Sequence, residues 1–247
     1  MASCTIPWLD ELADFPDLLD AAMALEEPNG LVAAGGILSP EWLLAAYRRG
    51  FFPWFNEGDP ILWWSPDPRL VLFPHEIRIH RSLRRVLRQQ RFEVRLDTAF
   101  PAVISACAIP REPGGGTWIL PAMQAAYCRM FELGHAHSVE CWLEGQLVGG
   151  LYGMAIGRVF FGESMFSLET DASKVALAHL ARLLQAMGFV MIDCQMSTMH
   201  LRSMGAREIS RNEFCAGLVR WAVPVGPPRH WPADMAASIS WNETAML

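Results

Sequence analysis

The amino-acid sequence predicts an α+β fold in which one long helix covers a mixed sheet. Three strand-like segments follow one another at 138–143, 146–153 and 158–166, with glycine-containing turns between them. The stretch 172–187 is predicted to be a helix, because its apolar residues fall on one stripe and a glycine follows it. The apolar run 189–195 is typical of a further strand. The 247 residues suffice for one large or two modest domains.

The first quarter of the chain contains a helix and a dense group of aromatic residues. A helix is predicted at 40–49, because Ser39 can cap its free backbone amides and Gly50 can end it. Aromatic side chains then crowd the segments 51–55 and 63–64, which are bounded by prolines, so we expect a loop. Such a loop indicates either an interface between domains or the wall of a ligand pocket.

The region that follows is rich in arginine. Eight arginines and two glutamates lie between Arg69 and Arg95, although the whole chain has a net charge of −6. A helix is predicted at 80–90. At three- and four-residue spacings, one face of it and of the residues just before it presents Arg78, Arg81, Arg85 and Arg88, and Arg84 lies beside this face. A solvated surface is one interpretation, but guanidinium groups also bind phosphate oxygens in pairs. The pattern favours a local site for a phosphate backbone, whereas the acidic total argues against a general nucleic-acid coat.

Composition excludes several classes of protein. No uncharged apolar run approaches the roughly 20 residues of a membrane-spanning helix. The first residues contain neither a basic region nor an apolar core, so we expect no secretion. Six scattered cysteines without a C-x-x-C pair predict reduced thiols in a cytoplasmic protein. His135 and His137 lack a third donor at a recognised spacing, so no metal site is predicted.

A carboxylate and an amide lie close together on the predicted strand 189–195. Asp193 and Gln195 are two positions apart, so their side chains face the same way. A carboxylate in an apolar strand is costly unless it is paired or hydrogen-bonded. Asp193 therefore either caps the turn that follows the strand or is oriented to polarise a nucleophile.

The strand predicted at 158–166 contains a second carboxylate. Regular alternation places Glu163 and Met165 on the same face as Phe161, with Phe160 on the opposite face. The serine after Glu163 is an unfavourable candidate for a nucleophile, because the final glycine of a G-x-S-x-G motif is missing.

The order of elements is typical of the acetyltransferase (GNAT) type of N-acyltransferase fold: a hairpin, a long strand, a helix, a strand, a short helix and a strand. Some of these enzymes bind the pyrophosphate of coenzyme A through a glycine-rich R/Q-x-x-G-x-G/A loop before the helix. Here residues 164–171 occupy that place with two acids and no glycine. A literal match at 111–116 precedes a different helix, predicted at 117–133. We therefore do not expect acetyl-CoA to be the donor.

Short motifs along most of the chain resemble those of the leucyl/phenylalanyl-tRNA–protein transferases. They occur in order from near residue 27 to about residue 209 and include Glu27-Pro-Asn-Gly30, Leu38-Ser-Pro40, Tyr47-Arg-Arg-Gly50, Phe52-Pro-Trp-Phe55, Trp63-Trp-Ser-Pro-Asp-Pro-Arg69, Gly116-Thr-Trp-Ile119, Glu132-Leu-Gly-His-Ala-His-Ser138, Leu147-Val-Gly-Gly150, Gly162-Glu-Ser-Met-Phe-Ser167, Ala172-Ser-Lys174 and Ile192-Asp-Cys-Gln195. Chance agreement at this density is negligible.

The resemblance implies a fold and an activity. The family has a small N-terminal α/β domain and a GNAT-like catalytic domain, which implies a division into 1–68 and 69–247. Its members transfer Leu, Phe or less often Met from aminoacyl-tRNA to the α-amino group of proteins with N-terminal Arg or Lys, and the added residue marks these proteins for degradation. The implied partners are aminoacyl-tRNA and such proteins or peptides. No membrane is implied, and a cytoplasmic monomer is expected.

The resemblance also implies roles for individual residues. Catalysis is implied at Asp193, Gln195 and Glu163, where Glu163 either takes part in the reaction or binds the basic side chain of the acceptor. The substrate pocket is implied at five apolar positions: Trp54, Trp118, Leu151, Phe160 and Met165. The tRNA acceptor stem is expected at the arginines of the helix at 80–90, where backbone and shape rather than base sequence would be recognised.

The implied chemistry is attack by an amine on an ester. The α-amine must be neutral, although its ordinary pKa is near 8. Asp193 would polarise Gln195, whose side-chain oxygen orients the amine. Because an aminoacyl ester is already activated, positioning and proton removal suffice, and no metal or organic cofactor is expected. Two alternatives stay open, a CoA-dependent GNAT-type N-acyltransferase and a non-catalytic tRNA-binding module.

Overall fold

The computed structural model describes residues 6–16, 25–110, 116–224, 226–239 and 241. The helices are α1 (Pro40–Arg48), α2 (Arg81–Gln89), α3 (Phe100–Cys107), α4 (Pro121–Glu132), α5 (Ala172–Ala186), α6 (Met199–Ser203) and α7 (Arg211–Trp221). The strands are β1 (Trp8–Leu9), β2 (Leu31–Gly35), β3 (Phe52–Pro53), β4 (Leu62–Trp64), β5 (Arg69–Leu72), β6 (Glu93–Leu96), β7 (Ala136–Leu143), β8 (Gln146–Ile156), β9 (Val159–Ser167), β10 (Met191–Gln195) and β11 (Arg207–Ile209).

Seven strands form the larger sheet, in the order β11-β5-β10-β9-β8-β7-β6. The neighbours β9 and β10 are parallel, and the other neighbouring pairs are antiparallel. Helix α5 packs across β7 and β8. The predicted α+β class, with a mixed sheet under one long helix, is confirmed.

A smaller sheet lies in the N-terminal part of the chain, in the order β1-β2-β4-β3. The aromatic segments expected to form a loop provide two of its strands, since Phe52 pairs with Trp64 and Pro53 with Trp63. The prediction of a loop was wrong there, because strands of two and three residues are too short to show an alternating pattern. The ring of Trp63 is fully buried and meets Phe15 edge-on at 5.0 Å.

A separate hydrophobic cluster covers each face of the larger sheet. One cluster joins α1 and the smaller sheet to residues of the larger sheet such as Phe161 and Met191. The other contains the apolar faces of α2 and α5 and residues near the C-terminus, among them Leu83, Leu180 and Trp231. The N-terminal elements therefore pack on one face of the sheet and α5 packs on the other.

The four longer helices predicted from the sequence are confirmed as α1, α2, α4 and α5, with ends that shift by a few residues. Ser39 caps α1, and its Oγ accepts a hydrogen bond from the backbone amide of Trp42 at 3.5 Å. Several elements were not predicted, namely the strands β1, β2, β5 and β6 and the helices α3 and α7.

Other features noted in the sequence either lie outside the described residues or form no metal site within them. The glycine-rich match at 111–116 lies largely outside the described residues, and Cys4 lies outside them too. His137 Nδ1 is 2.8 Å from Asp97 Oδ2, and the described residues contain no group of three side chains arranged to hold a metal. Free thiols are found at Cys128, Cys141, Cys194 and Cys215. Within the described ranges, no helix is both long and apolar enough to cross a membrane.

Candidate active site

A β-bulge interrupts β9 at the centre of the larger sheet. Gly162 pairs with Gly153 on β8 and Ser164 pairs with Tyr152, so that Glu163 is an extra residue between two pairs. Bulges leave the extra residue out of the ladder and re-aim its side chain. Glu163, the one carboxylate within β9, is therefore the residue whose side chain does not follow the regular alternation of the strand.

The bulge reverses the alternation of β9. Phe161 and Phe166 both pack in the cluster that contains α1, whereas Phe160 and Met165 both pack in the cluster under α5. The prediction that Met165 shares a face with Phe161 was wrong, because one inserted residue moves every later side chain to the opposite face.

A second bulge lies in the neighbouring strand β10. Asp193 pairs with Val71 on β5 and Gln195 pairs with Leu70, which leaves Cys194 as the extra residue. The backbone of Gln195 has φ = +59°, in the left-handed region that side-chain-bearing residues seldom occupy. Such conformations persist where surrounding contacts hold them, and they concentrate at functional sites.

The two bulged strands separate beyond the bulges. The last parallel pair between β9 and β10 joins Phe161 to Asp193, yet β9 continues for six more residues to Ser167. The sheet is therefore open between the ends of these strands, and the edges of both strands face the opening.

A cavity of about 900 Å³ occupies this opening. Eight of the residues singled out from the sequence line it: Asp193, Gln195, Glu163, Trp54, Trp118, Leu151, Phe160 and Met165. Trp118 packs against the cluster on the α1 face, and Leu151 and Phe160 belong to the cluster on the α5 face. The cavity thus connects the two faces of the sheet, and Glu163 and Gln195 are part of its lining.

Glu163 is buried and held by three hydrogen-bond donors. Tyr47 donates to Oε1 at 2.6 Å, and Tyr127 donates to Oε2 at 2.9 Å. The side-chain amide of Gln195 donates to Oε1 at 3.0 Å. The two tyrosine hydroxyls also touch each other. The carboxylate is therefore fixed in place by groups from α1, α4 and β10.

Burial raises the pKa of Glu163 from its ordinary 4.5 to about 7, although the hydrogen bonds from Tyr47 and Tyr127 favour the ionised form and lower it. The nearby charge of Asp193 raises this pKa further, and that of Arg69 lowers it. A carboxyl group with a pKa near neutrality can both accept and release a proton at physiological pH.

Asp193 is fully buried in an ion pair with Arg69. Arg69 Nε lies 2.8 Å from Oδ1, and Nη2 lies 2.7 Å from Oδ2, so both carboxylate oxygens are bound. The guanidinium group is held between the rings of Phe52 and Phe214, at 4.8 and 4.6 Å from their centres. The pair joins β5, β10, the smaller sheet and α7 at one point.

Gln195 contacts Asp193 through the main chain. The backbone amide of Gln195 donates to Asp193 Oδ1 at 2.9 Å, which supports the left-handed turn at this residue. The side-chain amide nitrogen faces Glu163, which leaves the side-chain oxygen as the acceptor of this group. Asp193 therefore positions Gln195 through its backbone, whereas Glu163 orients its side chain.

Three residues of this network were not singled out from the sequence. Tyr47 and Arg69 lie inside motifs that support the resemblance, so those motifs contained the signal. Tyr127 has no such signal, because it lies in the middle of α4 among other apolar residues. Its contact with Glu163 joins positions 36 residues apart.

The arginines expected to bind tRNA lie outside the cavity. Arg78, Arg81 and Arg85 are exposed, and within the described residues no ion pair involves them. Arg84 is partly buried, whereas Arg88 is exposed. The backbone before α2 adjoins α6, since the Arg78 amide donates to the Met204 carbonyl at 2.9 Å. Residues at the start of α6 line the cavity, so the arginine helix lies beside one cavity wall.

Two family sequence models match this chain. The model of the leucyl/phenylalanyl-tRNA protein transferases matches residues 71–219, and the model of that family's N-terminal domain matches residues 36–67. The chain belongs to the leucyl/phenylalanyl-tRNA–protein transferase family. Membership in this family makes the chain an aminoacyltransferase.

Curated relatives of the same family span nearly the whole chain. The leucyl/phenylalanyl-tRNA–protein transferase of Azoarcus sp. (strain BH72) is 68% identical over 237 residues, which cover 96% of this chain and 100% of that protein. The transferase of Nitrosomonas europaea is 59% identical and covers 89% of this chain and 92% of its own length. Among solved structures, a GCN5-related N-acetyltransferase from Kribbella flavida is 12% identical, with a TM-score of 0.34 over 69% of this chain and 61% of that chain.

The ion pair of Arg69 and Asp193 predicts that removing one charge destabilises the fold more than removing both. Asp193→Asn leaves the buried guanidinium group uncompensated, so we expect a loss of about 3–5 kcal/mol in the free energy of unfolding. The double variant Arg69→Met/Asp193→Leu removes both charges and should recover most of that loss. Urea denaturation measures both values, and equal losses in the two variants would contradict the assignment of the pair.

Glu163 predicts a pH-dependent stability. Between pH 4.5 and about 7 the folded protein keeps a proton that the unfolded chain has released, so the free energy of unfolding falls as pH rises through this window. Glu163→Gln cannot titrate, so from pH 4.5 to about 7.5 it should lose about 3 kcal/mol less than the original chain. Urea denaturation at both pH values tests this, and parallel curves for the two proteins would rule it out.

Proposed function

We propose that this chain transfers Leu, Phe and less often Met from aminoacyl-tRNA to the α-amino group of proteins with N-terminal Arg or Lys, which marks them for degradation. The observation that supports this most is the cavity that passes through the opened sheet. It brings an apolar chamber, a proton-accepting carboxylate and two tryptophans within one space. Family membership supports the same reaction class.

The donor side chain would occupy the chamber on the α5 face. Leu151, Phe160 and Met165 line this chamber together with Leu177 and Leu180 of α5. An apolar chamber selects donors by shape, and methionine adapts to donors of different form. This composition fits Leu, Phe and Met and offers nothing to a polar side chain.

The 3′-terminal nucleoside of the tRNA would lie toward the tryptophans. Trp54 is exposed and Trp118 is partly buried at the cavity, so a planar base can stack on them. The acceptor stem would then extend along α2, where the exposed Arg78, Arg81 and Arg85 meet its phosphates. Arg91 and Arg95 are less suited, because they pair with Glu169 and Glu93.

The reaction follows from the roles of Gln195 and Glu163. The acceptor arrives as an ammonium ion and gives one proton to ionised Glu163, whose pKa of about 7 suits it to this exchange. The side-chain oxygen of Gln195 accepts a hydrogen bond from the neutral amine and directs its lone pair at the ester carbonyl carbon. The amide bond then forms as the ester bond breaks, and the proton lost by the attacking nitrogen passes to the ribose oxygen that leaves.

Glu163 is better placed to exchange a proton than to bind the acceptor side chain. Both of its oxygens already accept hydrogen bonds from tyrosine, and one also accepts from Gln195. A basic acceptor side chain would have to displace these donors. The net charge of −6 instead offers a general attraction for a basic N-terminus.

We also propose the division into an N-terminal domain, 1–68, and a catalytic domain, 69–247, in a cytoplasmic monomer. The smaller sheet ends at Trp64, and the larger sheet begins with β5 at Arg69, which supports a boundary between them. The free thiols support a reducing compartment.

Transfer of labelled Leu from Leu-tRNA to a peptide that begins with Arg tests the proposed function directly. We expect transfer by the original chain and a loss of about 100-fold in kcat for Gln195→Ala, because the amine is no longer oriented. Trp241→Ala, a change at a residue that does not line the cavity, serves as the control and should retain transfer.

Two further measurements would support other functions. Tight binding of acetyl-CoA with acetylation of the peptide would identify a CoA-dependent N-acyltransferase. Equal binding of charged and uncharged tRNA without any transfer would identify a non-catalytic tRNA-binding module.

The arginines of α2 predict a salt-dependent interaction with tRNA. Arg81→Glu/Arg85→Glu should weaken tRNA binding and lower the slope of log affinity against log salt by about 0.7–0.9 for each phosphate that the variant no longer binds. The matched control is Arg158→Glu/Arg220→Glu, which changes two exposed arginines at the other end of β9. Binding is measured by fluorescence titration between low and high salt. Equal slopes in both double variants would show that α2 is an ordinary solvated surface.

A further inference from the structure

Two tryptophans near the C-terminus are buried although they lie beyond the residues matched by the family model, which end at 219. Trp231 and Trp241 have the same exposed fraction, 6%. Both pack in the cluster on the α5 face. The two rings contact different side chains, and within the described residues only the contacts of Trp231 include a residue that lines the cavity.

Trp231 is held in place by a buried pair on the larger sheet. Its backbone amide donates to Asp97 Oδ2 at 2.8 Å. Its ring stacks on the imidazole of His137 with centres 3.9 Å apart and planes 4° from parallel. The same Asp97 oxygen lies 2.8 Å from His137 Nδ1. Main chain and ring of Trp231 are thus both fixed, so the indole provides a rigid surface.

The next ring toward the cavity is that of Phe160. Its centre lies 5.9 Å from that of Trp231, and Phe160 is a cavity-lining residue. Gly153 lies against the same ring, since a Cβ added there would be 2.6 Å from a ring carbon of Phe160. Gly153 and Trp231 therefore confine the ring of Phe160 and keep it from moving away from the cavity.

We propose that Trp231 is a positioning residue that sets the depth of the donor chamber by fixing Phe160. This inference rests on the proposed function, because the chamber is the place assigned to the donor side chain. With the indole present, Phe160 limits the chamber to side chains the size of Leu or Phe. With the indole removed, Phe160 moves into the vacated space and the chamber deepens, which favours the larger donor.

Trp241 provides a matched comparison on the same segment. Its indole nitrogen donates to His179 Nε2 at 2.9 Å, and its ring lies 5.8 Å from the guanidinium carbon of Arg182. Both partners belong to α5, and neither lines the cavity. Truncation of Trp241 therefore removes an equally buried ring without releasing a cavity residue.

The test compares kcat/KM for Phe-tRNA with kcat/KM for Leu-tRNA in the full chain, Trp231→Ala and Trp241→Ala. We expect the Phe:Leu ratio to rise about tenfold in Trp231→Ala, the effect of about one methylene group of fit in an apolar pocket. The ratio in Trp241→Ala should stay within about twofold of the original. Thermal unfolding of both variants records the loss of stability, which a purely structural role would produce in both without changing the ratio.

The outcomes separate the inference from the proposed function. Transfer by the original chain with an unchanged ratio in Trp231→Ala overturns the role of Trp231 alone. Absence of transfer from either tRNA by the original chain overturns both. If Trp231→Ala does not fold, Trp231→Leu is measured instead, and a smaller rise in the ratio supports the inference, whereas an unchanged ratio overturns it.

Discussion

The buried ion pair between Arg69 and Asp193 is the contact on which the rest of the site depends. Two charges without access to water are stable only when their geometry is close and their oxygens are satisfied. Here one guanidinium group binds both oxygens and is enclosed by Phe52 and Phe214. Since Asp193 also accepts the backbone amide of Gln195, the pair holds the β10 bulge in its unusual conformation.

The second constraint is the burial of Glu163 among polar donors. Burial raises its pKa to about 7, while the hydrogen bonds from two tyrosines and the charge of Arg69 keep it from rising further. The opposing effects leave a carboxyl group that changes its protonation near neutral pH. Asp193, by contrast, has both of its oxygens bound by the Arg69 guanidinium in a buried ion pair. Glu163 and Asp193 lie in the same sheet but in different environments, and these environments determine the part that each carboxylate plays in the site.

Long elements and the motif residues could be predicted from the sequence. Helix α5 and the hairpin of β8 and β9 show clear periodicity, and Asp193, Gln195 and Glu163 lie in recognisable motifs. The bulge at Glu163 could not be predicted, because both faces of β9 are apolar and the exchange of faces that a bulge causes is then not visible in the sequence. Arg69 also lies in such a motif, but its pairing with Asp193 could not be predicted, because the two residues are 124 positions apart and only the order of the strands brings them together.

The bulge in β9 has a consequence for comparing relatives of this chain. A substitution near Glu163 changes one side chain, but a deletion of one residue there would restore regular alternation and exchange the faces of every position that follows. Met165 would then leave the proposed donor chamber, and Phe166 would enter it, although both residues would still align. Sequence length between Phe160 and Ser167 is therefore as informative about the active site as the identity of the residues, and gaps at this point mark a change of architecture.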